Sequence, residues 1–560
     1  MNSPSKQEQL RKLLKEQYAH LQQTFAFDRQ SALLALTRSH NQHYLETLHH
    51  KPDNASLYIL GWQKALSLCF AASPPSLQTS VTDDMLDVWA NATIQACGLR
   101  VQAERILDYC ETGFLRMQQS GDAFNVWVAS KKMPTEWREQ EDLSTWTNIL
   151  AQTYASAMHT LQSEGMQLQQ QRIHTAEQWN EQTDNLYTTT RTLDDYYHQL
   201  GLLHVKRMVS YTTYPASTTI GGCTFAVYRD VLSVLIGLAL KHCDLCTMLF
   251  REHSGDITPY IAMSWDDNKL VETLATTLVI ETTMVRLALD AYTLDAENVA
   301  YHYSAVDVPT PPLIRLDNEH RTWSLAGLLT HPLFFLTHEL KRRYSYEYHT
   351  ASQLREDVFR QDVYSLFADK RFVRSPGHVE LRGTKGTLAT DVDALIFDRK
   401  TGALALFELK SHDPFAYSRQ ERMRQRDNFY AAGKQVTAAT EWVKRNGVNA
   451  LLERLDPKQV KHLKAHKVYV FVLGRYLAHF FEGSERDQYV AWATWAQVLR
   501  LVNAKPFGSD DANPIQSLFN KLIKDTPLVI ADKEYGVQET TIGGRRIRVY
   551  PSFEVYKNAL

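Results

Sequence analysis

Two acids precede one short apolar run, and an acid and a lysine close the next: Asp391-Val-Asp393 before Ala-Leu-Ile-Phe, and Glu408-Leu-Lys410 after Ala-Leu-Ala-Leu-Phe. The runs flank a turn, Arg399-Lys-Thr-Gly402. Side chains alternate faces along a strand, so Glu408 and Lys410 share one face, as do Asp391 and Asp393. Folding the first run back on the second brings Asp393 to the carboxylate of Glu408. Two carboxylates and an ammonium crowded at the end of an apolar hairpin are costly unless something pairs them. A divalent cation does so, and hard oxygen donors select Mg²⁺ or Mn²⁺ over zinc. Asp391 rivals Asp393 for this position; Asp393 is favoured because it lies deeper in the strand, nearer Glu408. Asp398, at the turn, is expected to be solvated.

The flanking elements have to hold that hairpin in place. Leu354, Val358, Phe359, Val363, Leu366 and Phe367 mark one face of a helix over Leu354–Phe367. A first strand is expected within Arg371–Leu381 and a turn at Gly383–Gly386. A helix from about Arg419 to Arg445 follows the hairpin and carries Gln435. Val468–Leu473 reads as a strand buried on both faces. A helix spans about 489–502, and Leu528–Ile530 with Arg546–Tyr550 reads as a closing hairpin with Gly543-Gly544 nearby.

Asp393 followed by Glu408-Leu409-Lys410 resembles the PD-(D/E)XK nuclease superfamily, the restriction-endonuclease-like fold, over roughly residues 345 to 475. The resemblance implies an αβββαβ core and Mg²⁺-dependent hydrolysis of phosphodiesters. It implies that Asp393, Glu408 and the backbone carbonyl of Leu409 hold the metal, that a metal-bound water attacks phosphorus, and that Lys410 orients that water or stabilises the developing charge. It also implies an upstream acid, Glu356 or alternatively Glu380, and a water- or phosphate-binding Gln435. The short motif on its own is weak. The competing reading is a surface hairpin with incidental charges, which leaves Glu408 and Lys410 at the end of an apolar strand unexplained.

Residues 341–470 contain 25 Lys and Arg against 16 Asp and Glu, an excess of +9; the chain totals −2, so the rest carries −11. A local positive excess suits a polyanion such as DNA. Arg419, Arg422, Arg424 and Arg426, interleaved with Tyr417, Phe429 and Tyr430, and Lys434 one helix span later, are candidate phosphate contacts; a solvated helix face is the plainer alternative. Cys243-Asp-Leu-Cys246 between His242 and His253 is a poor zinc signal without a second pair, and cysteines in an apolar helical run pack as small hydrophobes. No phosphate-loop, dinucleotide or nucleophile-elbow motif is present.

The chain of 560 residues is 44% hydrophobic and 22% charged, which fits a multidomain mixed α/β protein. Helices are expected over 5–50, over 82–118 closing near Gly121, and through a polar arm from Pro134 to about Gly201. Val209–Tyr214 and Cys223–Tyr228 read as strands; 229–252 and 269–293 read as helices. A buried segment and a basic, aromatic helix then occupy 325–348. Pro309-Thr-Pro-Pro312 reads as a linker, giving a mostly helical region 1–202, an intermediate region 203–312 and a nuclease domain 313–560. Six irregularly spaced cysteines, no apolar leader and no apolar run of membrane-spanning length predict a cytoplasmic protein. The function expected is a DNA nuclease. By analogy of architecture it is an effector of bacterial anti-phage defence, with an N-terminal region that senses or oligomerises. The alternatives are an inactive nuclease-fold DNA-binding or scaffold protein, and an RNA- or structure-specific nuclease.

Overall fold

The computed structural model describes residues 6–550 except 24–26, 50–54, 73–82, 112, 130–134, 178–188, 210–213, 254–259, 305–309, 384–385, 414–418, 479–488, 504 and 525–536. The protein is mixed α/β, mostly helical among the described residues, with several small sheets. Four helices open the chain: α1 (Lys6–Gln23), α2 (Arg29–His49), α3 (Ala55–Ala71) and α4 (Asp83–Glu111). A hairpin follows, β1 (Leu115–Ser120) and β2 (Ala123–Val128), then α5 (Thr135–Thr153), α6 (Ala155–Gln167), α7 (Gln169–Glu177) and α8 (Arg191–Val209). The helix expected through 118 therefore stops seven residues early, and Gly121, with φ +60°, turns a hairpin instead of ending a helix.

Next come β3 (Thr219–Ile220), β4 (Cys223–Thr224), α9 (Phe225–His253), β5 (Ser264–Asp266), α10 (Asp267–Leu278), α11 (Thr282–Ala291), β6 (Thr293–Leu294) and α12 (Val299–His302). The strand expected at 223–228 is two residues long, because Phe225 already starts α9. The other expected strand, 209–214, falls mostly outside the described residues. The run expected as one helix over 269–293 breaks where Val279 adopts φ +55°. The stretch Phe225–Met248 is long and apolar enough to cross a membrane by length and composition, contrary to expectation; 67% of it is buried inside the protein.

The chain then forms β7 (Leu313–Arg315), β8 (His320–Trp323), α13 (Leu325–Leu329), α14 (Pro332–Arg343) and α15 (Ser345–Ser365). β7 pairs with β6 and β8 pairs with β5, so one sheet of order β5-β8-β7-β6 crosses the expected boundary at 312/313. Pro311-Pro312 is packed: a Cβ on Gly327 of α13 would stand 2.0 Å from the Pro311 carbonyl oxygen. One hydrophobic core runs from Leu143 to Leu522. The N-terminal and C-terminal parts share an interior.

The remaining elements build the central sheet and its cover: β9 (Phe372–Arg374), β10 (Val379–Arg382), β11 (Leu388–Val392), β12 (Ala394–Asp398), β13 (Ala403–Lys410), α16 (Arg419–Asn446), α17 (Val448–Leu452), α18 (Pro457–Val460), β14 (Lys467–Gly474), β15 (Val490–Thr494), α19 (Trp495–Val502) and α20 (Pro514–Lys524). The sheet order is β15-β14-β13-β12-β9, with β12 antiparallel to both neighbours and β13, β14 and β15 parallel. Alternation decides the layers. Ala405, Phe407 and Leu409 pack into the large core with Phe359 of α15, whereas Leu404 and Leu406 pack with Phe429 and Val436 of α16. Glu408 and Lys410 therefore fall on the α16 side.

Four expectations are corrected here. The single strand in 371–381 is two strands in two sheets, since β10 pairs only with β11. Leu354, expected on the buried face of α15, is 41% exposed. The helix expected over 489–502 is preceded by β15 and starts at a capping box in which Thr494 and Gln497 satisfy each other's backbone N–H. Finally, β16 (Gln538–Ile542) and β17 (Arg545–Tyr550) form the last hairpin, turning at Gly543-Gly544; β17 lies parallel to β2, so this hairpin completes a sheet with β1 and β2. Leu528–Ile530 lie outside the described residues.

Candidate active site

The β12–β13 register pairs Ala394 with Phe407, which sets Asp393 opposite Glu408. At the far end Gly402 takes φ +68° and its N–H donates to the Asp398 carbonyl at 2.9 Å, closing the turn. Asp398 is not solvated. It is fully buried, it meets Arg371 at 2.6 Å through both oxygens, and it accepts from Lys400 N and Thr401 Oγ1. Burial opposes its ionisation, but these donors outweigh it and hold the carboxyl below its ordinary range.

At the open end the chain leaves one sheet for another at Asp393, between β11 and β12. Two contacts fix that residue. Its Oδ2 accepts from Leu409 N–H at 2.7 Å, and its carbonyl accepts from Arg360 Nε of α15 at 2.5 Å. Arg360, one helical turn after Glu356, was not singled out from sequence. Glu408 is 2% exposed, with Lys410 Nζ 2.7 Å from its Oε1. That approach is off the axis of a well-formed hydrogen bond, so Oε1 is buried without an aligned donor. Gln435 Oε1 accepts from Lys410 at 3.5 Å while its Nε2 donates to Asp391 Oδ1 at 3.4 Å. Asp391 is thus held by the glutamine.

The electrostatics describe a site with too much negative charge. Burial first, then the Asp393 carboxylate, push Glu408 up to about 8. Burial also raises Asp393, against the Leu409 N–H and the Lys410 charge. Glu356 is raised by burial and by Asp393, which places its carboxyl in the same field. Burial pulls Lys410 down, but Glu408, Asp393 and Glu356 outweigh it and the ammonium is held above its ordinary value. Glu380, the alternative upstream acid, is exposed on β10 and pairs with Arg382 at 2.5 Å. The structure therefore gathers Asp391, Asp393, Glu408, Lys410, Gln435 and Glu356, and leaves Glu380 outside.

Beyond Lys410 a second set of charges anchors the strand end. Asp413 meets Arg355, Tyr348 and Lys341, and Lys341 also meets Glu421 at 2.9 Å. Burial opposes ionisation of Asp413, yet Arg355 and Lys341 keep it far below the usual carboxylate range. His412 is neutral by burial and by the Lys410 charge, lowered to about 4, with its ring edge-on to Phe429.

The candidate phosphate contacts separate. Arg422 is bound through both guanidinium nitrogens to buried Glu139 of α5, at 3.0 and 2.9 Å, and so joins two helices. It is not available to a phosphate, and sequence offered no sign of a partner 283 residues away. Arg424 and Lys434 are exposed on α16. Arg426 is half-buried, with its guanidinium 5.9 Å from the Tyr430 ring centre. Much of the positive excess around the hairpin is spent likewise on internal pairs, such as Arg371–Asp398, Arg355–Asp413 and Arg360–Asp357.

Among the described residues no three His, Cys, Asp or Glu side chains converge closely enough to form a ready metal-binding group. Cys243 and Cys246 lie on α9 beside His242 with thiol pKa values raised by burial, as packing residues do. The donors that fit a divalent ion best are Asp393 and Glu408, whose carboxyls are raised by burial first and are incompletely compensated by Lys410, together with the carbonyl of Leu409, the residue after Glu408. Searches of family models, curated proteins and solved structures returned no match to this chain.

Proposed function

We propose that the chain is a Mg²⁺- or Mn²⁺-dependent nuclease that hydrolyses DNA phosphodiester bonds, built on a restriction-endonuclease-like core. One observation carries the reading: Asp393, Glu408 and Lys410 meet at the open end of one hairpin with Gln435 and Glu356 around them. The succession α15, β9, β12, β13, α16, β14 supports an αβββαβ core, with β10 and β11 inserted as a separate hairpin. Glu356, Asp391, Asp393 and Glu408 crowd around Lys410, and the nearby Arg360 is itself paired with Asp357. A divalent ion held by Asp393, Glu408 and the Leu409 carbonyl would make good that shortage of positive charge and would supply an activated water.

The chain's own residues do the rest. Arg360 and the Leu409 N–H hold Asp393 by its carbonyl and its carboxylate, so its free oxygen is directed. Lys410 keeps its proton in this field and can neutralise charge on a phosphate oxygen. Gln435 ties the Lys410 ammonium to Asp391 and limits its sweep. Arg424 and Lys434 offer exposed cations on the helix that covers this face; Arg422 instead locks α16 to α5. In an anti-phage effector, α5 is the element through which the N-terminal part would reach the site.

The test is incubation of the purified protein with plasmid DNA and with single-stranded RNA, in Mg²⁺, Mn²⁺ or EDTA. Nicking or linearisation of the plasmid with either metal, none in EDTA and none by Glu408→Gln is the expected result. RNA cleavage without plasmid cleavage would move the substrate class. No metal-dependent cleavage of either polymer would leave a binding or scaffold protein.

A further inference from the structure

A cavity of about 460 Å³ lies among α1, α3 and α4, formed by elements that contribute no residue to the hairpin site. Its volume falls in the range of ordinary small-ligand sites. Its chemistry is divided. Leu14, Leu60, Val101 and Leu107 form an apolar floor. Lys64 and Glu104 line one wall 3.8 Å apart, too far for a direct hydrogen bond, and Lys64 Nζ stands 4.2 Å from the centre of the Tyr18 ring. Arg11 and Lys15 mark the rim: Arg11 is paired with Glu111, whereas Lys15 is exposed and has no counter-ion among the described residues.

Tyr303 also lines the cavity; its hydroxyl is buried and meets no hydrogen-bond partner among the described residues. A buried hydroxyl with no partner is uncommon in a finished interior and calls for an explanation. That hydroxyl is closed to water and does not face the open cavity, which Tyr303 lines with its ring. The acid on the cavity wall is Glu104, whose carboxyl burial raises above the ordinary range despite Lys64.

We propose that this cavity binds a ring-bearing anionic small molecule of the nucleoside monophosphate class. The floor and the Tyr18 ring take the flat body, Glu104 takes an amino edge, and Lys15 and Lys64 take the phosphate. The site is independent of the nuclease reading, and the experiment keeps the two apart.

The four ribonucleoside 5′-monophosphates are titrated calorimetrically into the full-length protein in EDTA, which removes metal-mediated binding at the hairpin. Adenosine and inorganic phosphate serve as half-ligand probes. At least one monophosphate is expected to bind with Kd below about 1 mM, more tightly than either half. Lys15→Ala with Lys64→Met should weaken it about tenfold or more, and Asp393→Asn should leave it unchanged. Saturable binding of none of the four overturns the proposal. So does binding that survives the lysine changes, that is lost in Asp393→Asn, or that inorganic phosphate alone reproduces. Circular dichroism of each variant separates loss of the site from loss of the fold.

Discussion

The two ends of the β12–β13 hairpin carry the same kinds of residue and have opposite electrostatics. At the turn, Asp398 is fully buried and receives both branches of Arg371, a backbone N–H and a hydroxyl, so its pKa falls. At the open end, Glu408 is just as buried but shares one lysine with Asp393 and Glu356, so its pKa rises to about 8. Buried charge alone does not mark a functional site. What separates the ends is completeness: one carboxylate is fully compensated and the other set is short of positive charge. Arg422 teaches the same lesson among the cations, since its bidentate bond to Glu139 makes it structural while Arg424, two residues on, stays exposed.

The largest effects should come from breaking the undercompensated end. Asp393→Ala or Glu408→Ala is expected to lower metal-dependent DNA cleavage by about three orders of magnitude or more while the far-ultraviolet circular dichroism stays unchanged. Lys410→Ala should lose activity yet still bind metal; failure to bind metal there would make Lys410 a structural residue.

The compensated end should respond in stability instead. Asp398→Ala strands Arg371 in the interior and is expected to cost about 3–5 kcal/mol in denaturant unfolding, and Glu139→Ala somewhat less because Arg422 is partly exposed. An unchanged midpoint for Asp398→Ala would erase the distinction between the two ends.

The sign of the pH response differs as well. Glu408 is raised in the folded state, so the folded protein holds its proton where the unfolded chain has released it. The contribution of Glu408 to metal-free stability should be full below its unfolded value of 4.5 and should be lost as pH rises to about 8. Glu408→Gln should flatten that fall and raise the melting temperature at pH 9 by about 1–3 °C. A steeper fall in the variant would mean that Glu408 is already compensated. The smallest effect belongs to the surface: replacing Arg424 and Lys434 should reduce the slope of log K against log salt for DNA by about 0.9 for each phosphate no longer neutralised, with no change in stability.

What the sequence made legible was local. The hairpin, its turn and the shared face of Glu408 and Lys410 follow from period-two alternation and a glycine over twenty residues. The helix carrying Gln435 follows from spacing within one element. What it hid was long-range. Arg422 and Glu139 are 283 residues apart, Arg546 meets Asp122 across 424, and neither partner shows a local sign of the other. The Pro311-Pro312 break read as a linker because prolines interrupt elements wherever they fall; here β6–β7 pairing and Gly327 pack it into a sheet and core. Arg360 was legible in principle, one helical turn from Glu356, but its acceptor is a backbone carbonyl, which no side-chain pattern announces.

The central claim is that the open end of the hairpin is short of one divalent cation. Titration of Mn²⁺ into the full-length protein at pH 8.5, followed by the loss of the free-ion paramagnetic resonance signal, tests it most directly. The account predicts saturable binding of about one ion per chain, abolished in Glu408→Gln and kept in Asp398→Asn. No saturable binding by the wild-type protein, or equal binding by Glu408→Gln, would contradict it.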